Sequence, residues 1–197
     1  MTVTSQNMTL EEYLNYDDDG TDTRHELENG ELIALPPESD LNSRIASFLF
    51  AFFLKQDIPF YRIRIGTEIV VSGSRATTRF PDVMVLSEEL ATALAGASRS
   101  TVMPEMPPPL LVVEVVSPKQ ENRDYRYKRS EYAARGIAEY WIVDPMQQKV
   151  TVLEWVEGLY EETVYAVDSP SAELSEGITS ALFGVLNLTA AQILQGH

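Results

Sequence analysis

The stretch Leu110-Leu-Val-Val-Glu-Val-Val-Ser-Pro118 is a run of branched aliphatics interrupted by one carboxylate, Glu114. Such a run suits a strand covered on both faces, as at the centre of an α/β sheet. An isolated ionised glutamate inside that strand costs several kcal/mol unless a metal or a fixed cation compensates it. Val or Ile would serve a purely structural strand without that penalty. Glu114 is therefore the first functional candidate, and Pro118 ends the strand.

Working outward, Asn122 or Asp124 is expected to cap a helix that runs to Gly136, a good C-terminal stop. Glu139 to Asp144 reads as the next strand, and the helix between is long enough for a parallel right-handed crossover. Lys149 to Val156 and Leu159 to Val167 predict a hairpin across Glu157-Gly158, and Thr189 to Leu194 a short last helix. Upstream, Arg79 to Leu86 reads as a mainly apolar strand carrying Asp82 just after Pro81. Residues 87–109 are expected to form a mobile, partly helical surface segment. Ile58 to Ile65 and Thr67 to Val71 read as strands around Gly66, with a turn at Gly73-Ser74. A long helix is predicted from Ser39 or Asp40 to about Gln56, its apolar face made by Leu41, Ile45, Phe48, Leu49, Phe52 and Phe53. Before it, Asn29-Gly30 predicts a hairpin between Arg24–Glu28 and Glu31–Leu35. Thr9-Leu-Glu-Glu12 is a capping box for a short helix that ends in the acidic loop Asp17 to Gly20.

This order predicts an α/β fold with a mixed sheet in one domain. Its parts are an N-terminal helix and hairpin over 1–38, a core over 39–145 and a C-terminal hairpin and short helix over 146–197. The chain has 197 residues, enough for one domain with a proper core. It has no cysteine, which excludes disulfides, thiolate metal sites and a Cys nucleophile. No stretch reads as a signal peptide or a membrane span, so a cytoplasmic protein is expected.

The net charge of −15 argues against a broadly basic nucleic-acid surface. It is unevenly spread, however. Residues 1–40 hold eleven acids against Arg24, and residues 139–197 hold nine against Lys149. Residues 44–79 hold six basic residues against two acids, and residues 119–135 six against three. These segments are either solvated faces or phosphate contacts.

Asp82 and Glu114 are carboxylates in strands that otherwise read as core. On neighbouring strands they could converge on one cation; the alternative is that each is solvated at a strand end. Mg²⁺ takes hard oxygen ligands and keeps several waters, so two carboxylates and a backbone carbonyl, for which we take Val115, would suffice. Lys128 shares a helical stripe with Tyr125 and Tyr132, so it faces either the sheet and its carboxylates or solvent. Glu26, with Glu28 on the same strand face, reads as an ordinary surface acid beside a turn. His25 and His197 have no serine motif or metal-ligand spacing nearby, and no phosphate-cradling glycine loop occurs.

His25 to Leu32, Phe80 to Val85, Leu111 to Pro118, Asp124 to Lys128, and Glu139 to Pro145 resemble, in order, blocks of the Uma family of restriction-endonuclease-like proteins. That family lies in the PD-(D/E)XK nuclease superfamily, and the similarity runs from about Leu10 to Leu194. The resemblance implies a restriction-endonuclease-like mixed central sheet flanked by helices and a metal-dependent DNA endonuclease. Mg²⁺ would be the cofactor, with Mn²⁺ as substitute, and a homodimer the expected assembly. Pro81-Asp82 matches the proline–acid element and Glu114 the second acid. Val116 stands where the superfamily lysine lies, and Lys128 fits the place to which this family moves it. Glu26 matches an accessory metal or water ligand. Asn42 stands where relatives commonly carry histidine, which would weaken activity if that histidine moves a proton or touches substrate. A fold that kept DNA or protein binding and lost turnover is the rival reading. A weaker one has the acidic ends mimicking nucleic acid.

Overall fold

The structure, a computed structural model, describes residues 7–16, 23–71, 75–118, 121–167 and 177–196. The Asp17–Gly20 loop, the Gly73-Ser74 turn, Lys119 and His197 lie outside the described residues.

Local chemistry sets the first elements where the sequence predicts them. Thr9 and Glu12 form a reciprocal capping box at the start of helix α1 (Leu10–Leu14). Strands β1 (His25–Glu28) and β2 (Glu31–Ala34) pair antiparallel through Asn29 at φ 52° and Gly30 at φ 86°. Both turn residues thus adopt the left-handed backbone that a tight two-residue hairpin demands. Helix α2 (Asp40–Lys55), capped by Ser39, buries Ile45, Leu49 and Phe53 on one face. At about 2 kcal/mol per large apolar side chain, that face is enough to fix the helix on the sheet.

The larger sheet is built from β3 (Ile63–Arg64), β6 (Val83–Val85), β8 (Leu111–Val115), β9 (Glu139–Asp144), β10 (Lys149–Val156) and β11 (Leu159–Ala166). Their spatial order is β11-β10-β9-β8-β6-β3. Only β8 and β9 run parallel, joined by the predicted crossover, so the sheet is mixed. Along β8, Leu111, Val113 and Val115 pack with α2 and with helix α5 (Ala190–Gln195). Val112 and Val116 pack on the opposite side with Tyr132, Tyr140 and Leu90. Glu114 lies in that alternating set, on the crossover side. A three-stranded sheet, β5 (Thr77–Arg79), β4 (Glu68–Val71) and β7 (Thr101–Val102), contributes Ile69, Val71 and Val102 to the same side. A short pair, β12 (Thr179–Ser180) and β13 (Gly184–Val185), leads into α5. No helix among the described residues is long and apolar enough to cross a membrane.

Three expectations need correction. The strand foreseen over 79–86 is two strands, β5 and β6, in different sheets. Pro81 has no N–H, and the Phe80 N–H goes to the Glu26 carboxylate instead of a ladder partner. The strand foreseen over 58–65 is mostly a 3₁₀ turn, Phe60–Arg62, entered from Pro59, with only Ile63–Arg64 paired. Residues 87–109 are more than a surface segment. Ser87 caps helix α3 (Glu88–Ala93), and Leu90, Ala91, Leu94 and Val102 are buried in the core.

Candidate active site

Strand register puts the two suspect acids together. β6 and β8 pair Val83 with Val113 and Val85 with Leu111. One further rung sets Asp82 opposite Glu114, and the Asp82 N–H donates to the Val113 carbonyl at 3.1 Å. Directly opposed residues hold their Cβ atoms about 5 Å apart. Asp82 Oδ2 accepts the Val115 N–H at 2.6 Å, replacing the ladder bond that the Phe80-Pro81 break removes. Both carboxylates line one cavity of about 660 Å³, together with Glu26, Arg123, Asp124 and Lys128.

Lys128 enters from the crossover. Its Nζ lies 2.7 Å from Glu114 Oε2 and 2.9 Å from Asp124 Oδ1, and the residue is only 6% exposed. The segment that carries it is not plain α-helix: Arg123–Lys128 is a π-helical turn, followed by helix α4 (Arg129–Arg135) ending at Gly136. Such widened turns recur at functional sites because they re-aim side chains without ending the helix. The expected cap is absent, since the Asn122 side chain makes no capping bond and Asp124 turns inward to Lys128. Tyr132, one turn beyond Lys128, donates its hydroxyl to Glu114 Oε1 at 2.5 Å. Tyr125 instead reaches Asp144 Oδ2 at 3.1 Å, and Arg129 turns outward to Glu162 and the Tyr160 carbonyl. The stripe foreseen for this helix therefore holds for Lys128 and Tyr132 only.

Burial and the neighbouring Glu114 charge push the Asp82 carboxyl well above the usual range. Burial likewise pushes Glu114 up to about 7, against the pull of Lys128, with Asp124 adding to the rise. Lys128 is raised above its ordinary value: burial opposes its charge, but Glu114, Asp124 and Glu26 hold the proton on it. The pocket thus keeps an ammonium, suited to donating hydrogen bonds and offsetting anionic charge. Asp82 itself forms no ion pair among the described residues.

Glu26 is buried, not the solvated surface acid that its place beside a turn suggests. Its Oε2 meets Arg79 Nη1 at 3.2 Å and Arg123 Nη2 at 2.5 Å, while its Oε1 accepts the Phe80 N–H at 2.8 Å. Arg79 also binds Glu28 and Glu131, and Arg123 also binds Glu28. The first hairpin is thereby tied to the π turn that carries Lys128. Several of the basic residues foreseen as phosphate contacts are consequently already paired: Arg79 and Lys128, both buried, and the part-buried Arg123 are all matched by carboxylates.

Would this donor set suit a divalent ion? Asp82, Glu114 and the Val115 carbonyl are hard oxygens lining one cavity, and the two acids repel each other across one rung. Three carboxylates (Asp82, Glu114, Asp124) face a single ammonium, so added positive charge fits. Among the described residues no three His, Cys, Asp or Glu side chains gather in a metal-holding arrangement. The ion would therefore have two side-chain ligands, the carbonyl and waters, as Mg²⁺ commonly does. Asn42 bears on the third ligand, because its Nδ2 donates to the Val115 carbonyl at 3.3 Å and to Ser117 Oγ at 3.0 Å.

All the candidates named from sequence, Glu26, Asp82, Glu114, Val115 and Lys128, line this cavity. Sequence reasoning missed the parts played by Asp124 and Tyr132. Their four-residue steps on either side of Lys128 were the available signal, blurred because Asp124 also reads as a helix cap.

No curated protein matches the sequence. Among solved structures, the crystal structure of a "putative nuclease belonging to DUF820" from Anabaena variabilis superposes with a TM-score of 0.71 at 18% identity, over 96% of this chain and 98% of that one. At that identity the likeness speaks for the fold, a restriction-endonuclease-like mixed sheet flanked by helices. The model of the Uma2 family, described as "Putative restriction endonuclease", matches residues 10–189. The chain belongs to the Uma2 family.

Proposed function

We propose that the protein is a Mg²⁺-dependent endonuclease that hydrolyses DNA phosphodiesters, with Mn²⁺ able to substitute. One observation carries this reading: Asp82 and Glu114 adjoin across a strand rung in one cavity, with the Lys128 ammonium buried beside them. Asp82, Glu114 and the Val115 carbonyl would hold the ion. Held there, a divalent ion would supply positive charge against the charge developing on phosphorus and would help activate water for attack. Lys128 orients the attacking water as a hydrogen-bond donor and stabilises the anionic transition state. Because it is held protonated, it acts as a donor and a charge, not as the base. Tyr132 fixes the Glu114 carboxylate, and Asp124 fixes Lys128. Glu26, saturated by Arg79 and Arg123, acts on the site by positioning rather than by ligation.

Plasmid nicking with Mg²⁺ or Mn²⁺ tests the reading, comparing wild type with Lys128→Ala. Strong loss in the variant is expected, and equal cleavage by both would remove Lys128 from the mechanism. The homodimer and the cytoplasmic location belong to this reading as well. For the dimer, Val152, Tyr160 and Tyr165 are core residues, which leaves Trp155, Val156, Leu159 and Val164 exposed on the outer hairpin for contact. Sedimentation at several concentrations checks it.

A second reading draws on Asn42. Its amide shares the Val115 carbonyl, which weakens the third ligand, so a DNA- or protein-binding module without turnover also fits. A Mg²⁺-dependent rise in melting temperature that Asp82→Asn abolishes favours the enzyme. No rise at millimolar metal favours the binder.

A further inference from the structure

We propose that Arg24 is a substrate contact of this pocket, a guanidinium fixed at its mouth to bind a backbone phosphate of DNA. The inference rests on the nuclease reading above and adds a residue that neither the motifs nor the ion site supplies.

Arg24 differs from the other cations lining the cavity. Arg123 is taken up by Glu26 and Glu28, and Lys128 by Glu114 and Asp124. Arg24 lines the same cavity, is exposed, and forms an ion pair with no carboxylate among the described residues. The remaining charged walls of the cavity are acids, including Glu38 and Asp82. A polyanion entering such a pocket meets repulsion unless a cation stands at the entrance. Arg24 is the lining cation whose charge is not already spent inside.

Its geometry is prepared for that task. The guanidinium lies over the Phe80 ring, 5.1 Å from the centroid, and Phe80 is two residues from Asp82. Gly66 stands against the same group: a Cβ there would come within 3.5 Å of Arg24 Nη2 and within 3.8 Å of Nη1. The Arg24 carbonyl accepts the Leu35 N–H at 2.8 Å, so the backbone is anchored at the end of the first hairpin. A guanidinium held over a ring by its charge keeps N–H groups available to fork onto phosphate oxygens. A lysine could supply the charge but not the planar fork.

Binding and cleavage together test this. Affinity for a labelled duplex is measured by anisotropy over a salt series with Ca²⁺, and nicking kinetics with Mg²⁺, for wild type, Arg24→Ala and Arg24→Lys. Arg24→Ala is expected to weaken binding roughly tenfold. It should also flatten the slope of log affinity against log salt by about one unit. In kinetics KM should rise more than kcat falls. Arg24→Lys should keep the salt slope while losing part of the affinity. Because Arg24 is exposed, the variants should melt with wild type; Arg24→Gln, which keeps the stem on Phe80, decides if the alanine variant does not. Unchanged affinity, slope and KM in a protein that still cleaves would overturn the Arg24 assignment alone. A wild type that neither binds nor cuts DNA would overturn the nuclease reading with it.

Discussion

Glu26 and Glu114 are both buried glutamates on strands, both within reach of a buried cation, and both line one cavity. Their carboxyls nevertheless move in opposite directions. Burial would raise Glu26, but Lys128, Arg79, Arg123 and the Phe80 N–H hold it below the usual range. Burial does raise Glu114, to about 7, even though Lys128 touches it. The difference is one of supply. Glu26, Glu28 and Glu131 share two guanidiniums and form a nearly closed ion-pair cluster. Asp82, Glu114 and Asp124 share one ammonium, and Asp82 receives none of it directly. A closed cluster holds strands together. An open one asks for a cation from outside.

The largest expected effect lies in the open cluster. Asp82→Asn should lower cleavage by on the order of 100-fold or more. The metal-free variant should melt no lower than wild type, since the like-charge pair is relieved while the amide oxygen still accepts the Val115 N–H. A nicking assay beside a melting curve reads both, and a stability loss with activity intact would reverse the assignment of the two clusters.

Next comes Arg79, fully buried and bonded to Glu26, Glu28 and Glu131. Arg79→Met leaves Glu131 without its guanidinium and Glu26 and Glu28 with Arg123 alone, and should destabilise by about 3–5 kcal/mol in urea unfolding. A loss under about 1 kcal/mol, as for an exposed pair, would mean that the cluster is not structural.

The two clusters should also give opposite pH responses. Glu114 binds its proton more readily folded than unfolded, so raising pH from 4.5 to about 7 favours the unfolded chain. Glu26, lowered in the fold, stabilises above its unfolded pKa of about 4.5, and that contribution fades as pH falls. Denaturation midpoints of metal-free protein across pH 4–8 should decline towards neutrality. Glu114→Gln should flatten that decline, and millimolar Mg²⁺ should oppose it.

The smallest effect is expected at Gly30, whose φ is 86° and where a Cβ would lie 3.3 Å from the Met8 carbonyl. Gly30→Ala should cost about 1 kcal/mol. It loosens the hairpin that carries Glu26, so a larger loss of cleavage than of stability would indicate that the closed cluster also sets the position of Lys128.

Sequence alone determined the local elements and the suspects. Asn29-Gly30 fixed a hairpin because few other pairs accept that backbone. The aliphatic run around Glu114 fixed a two-sided strand because its one acid was out of place there. Four-residue spacing brought Lys128 and Tyr132 to one side of the crossover. Tertiary structure decided what those residues meet. Register alone sets Asp82 opposite Glu114, because a one-residue slip would turn one of them away. Pairing across the fold sends Arg79 and Arg123 to Glu26, which no spacing in the chain encodes. The π turn, which lets Asp124 and Lys128 both face inward, depends on those contacts and on the Tyr140 hydroxyl bonded to the Asp124 carbonyl. Nearby residues settle backbone preferences, whereas the balance of buried charge is set by groups far apart in sequence, and that balance separates the closed cluster from the open one.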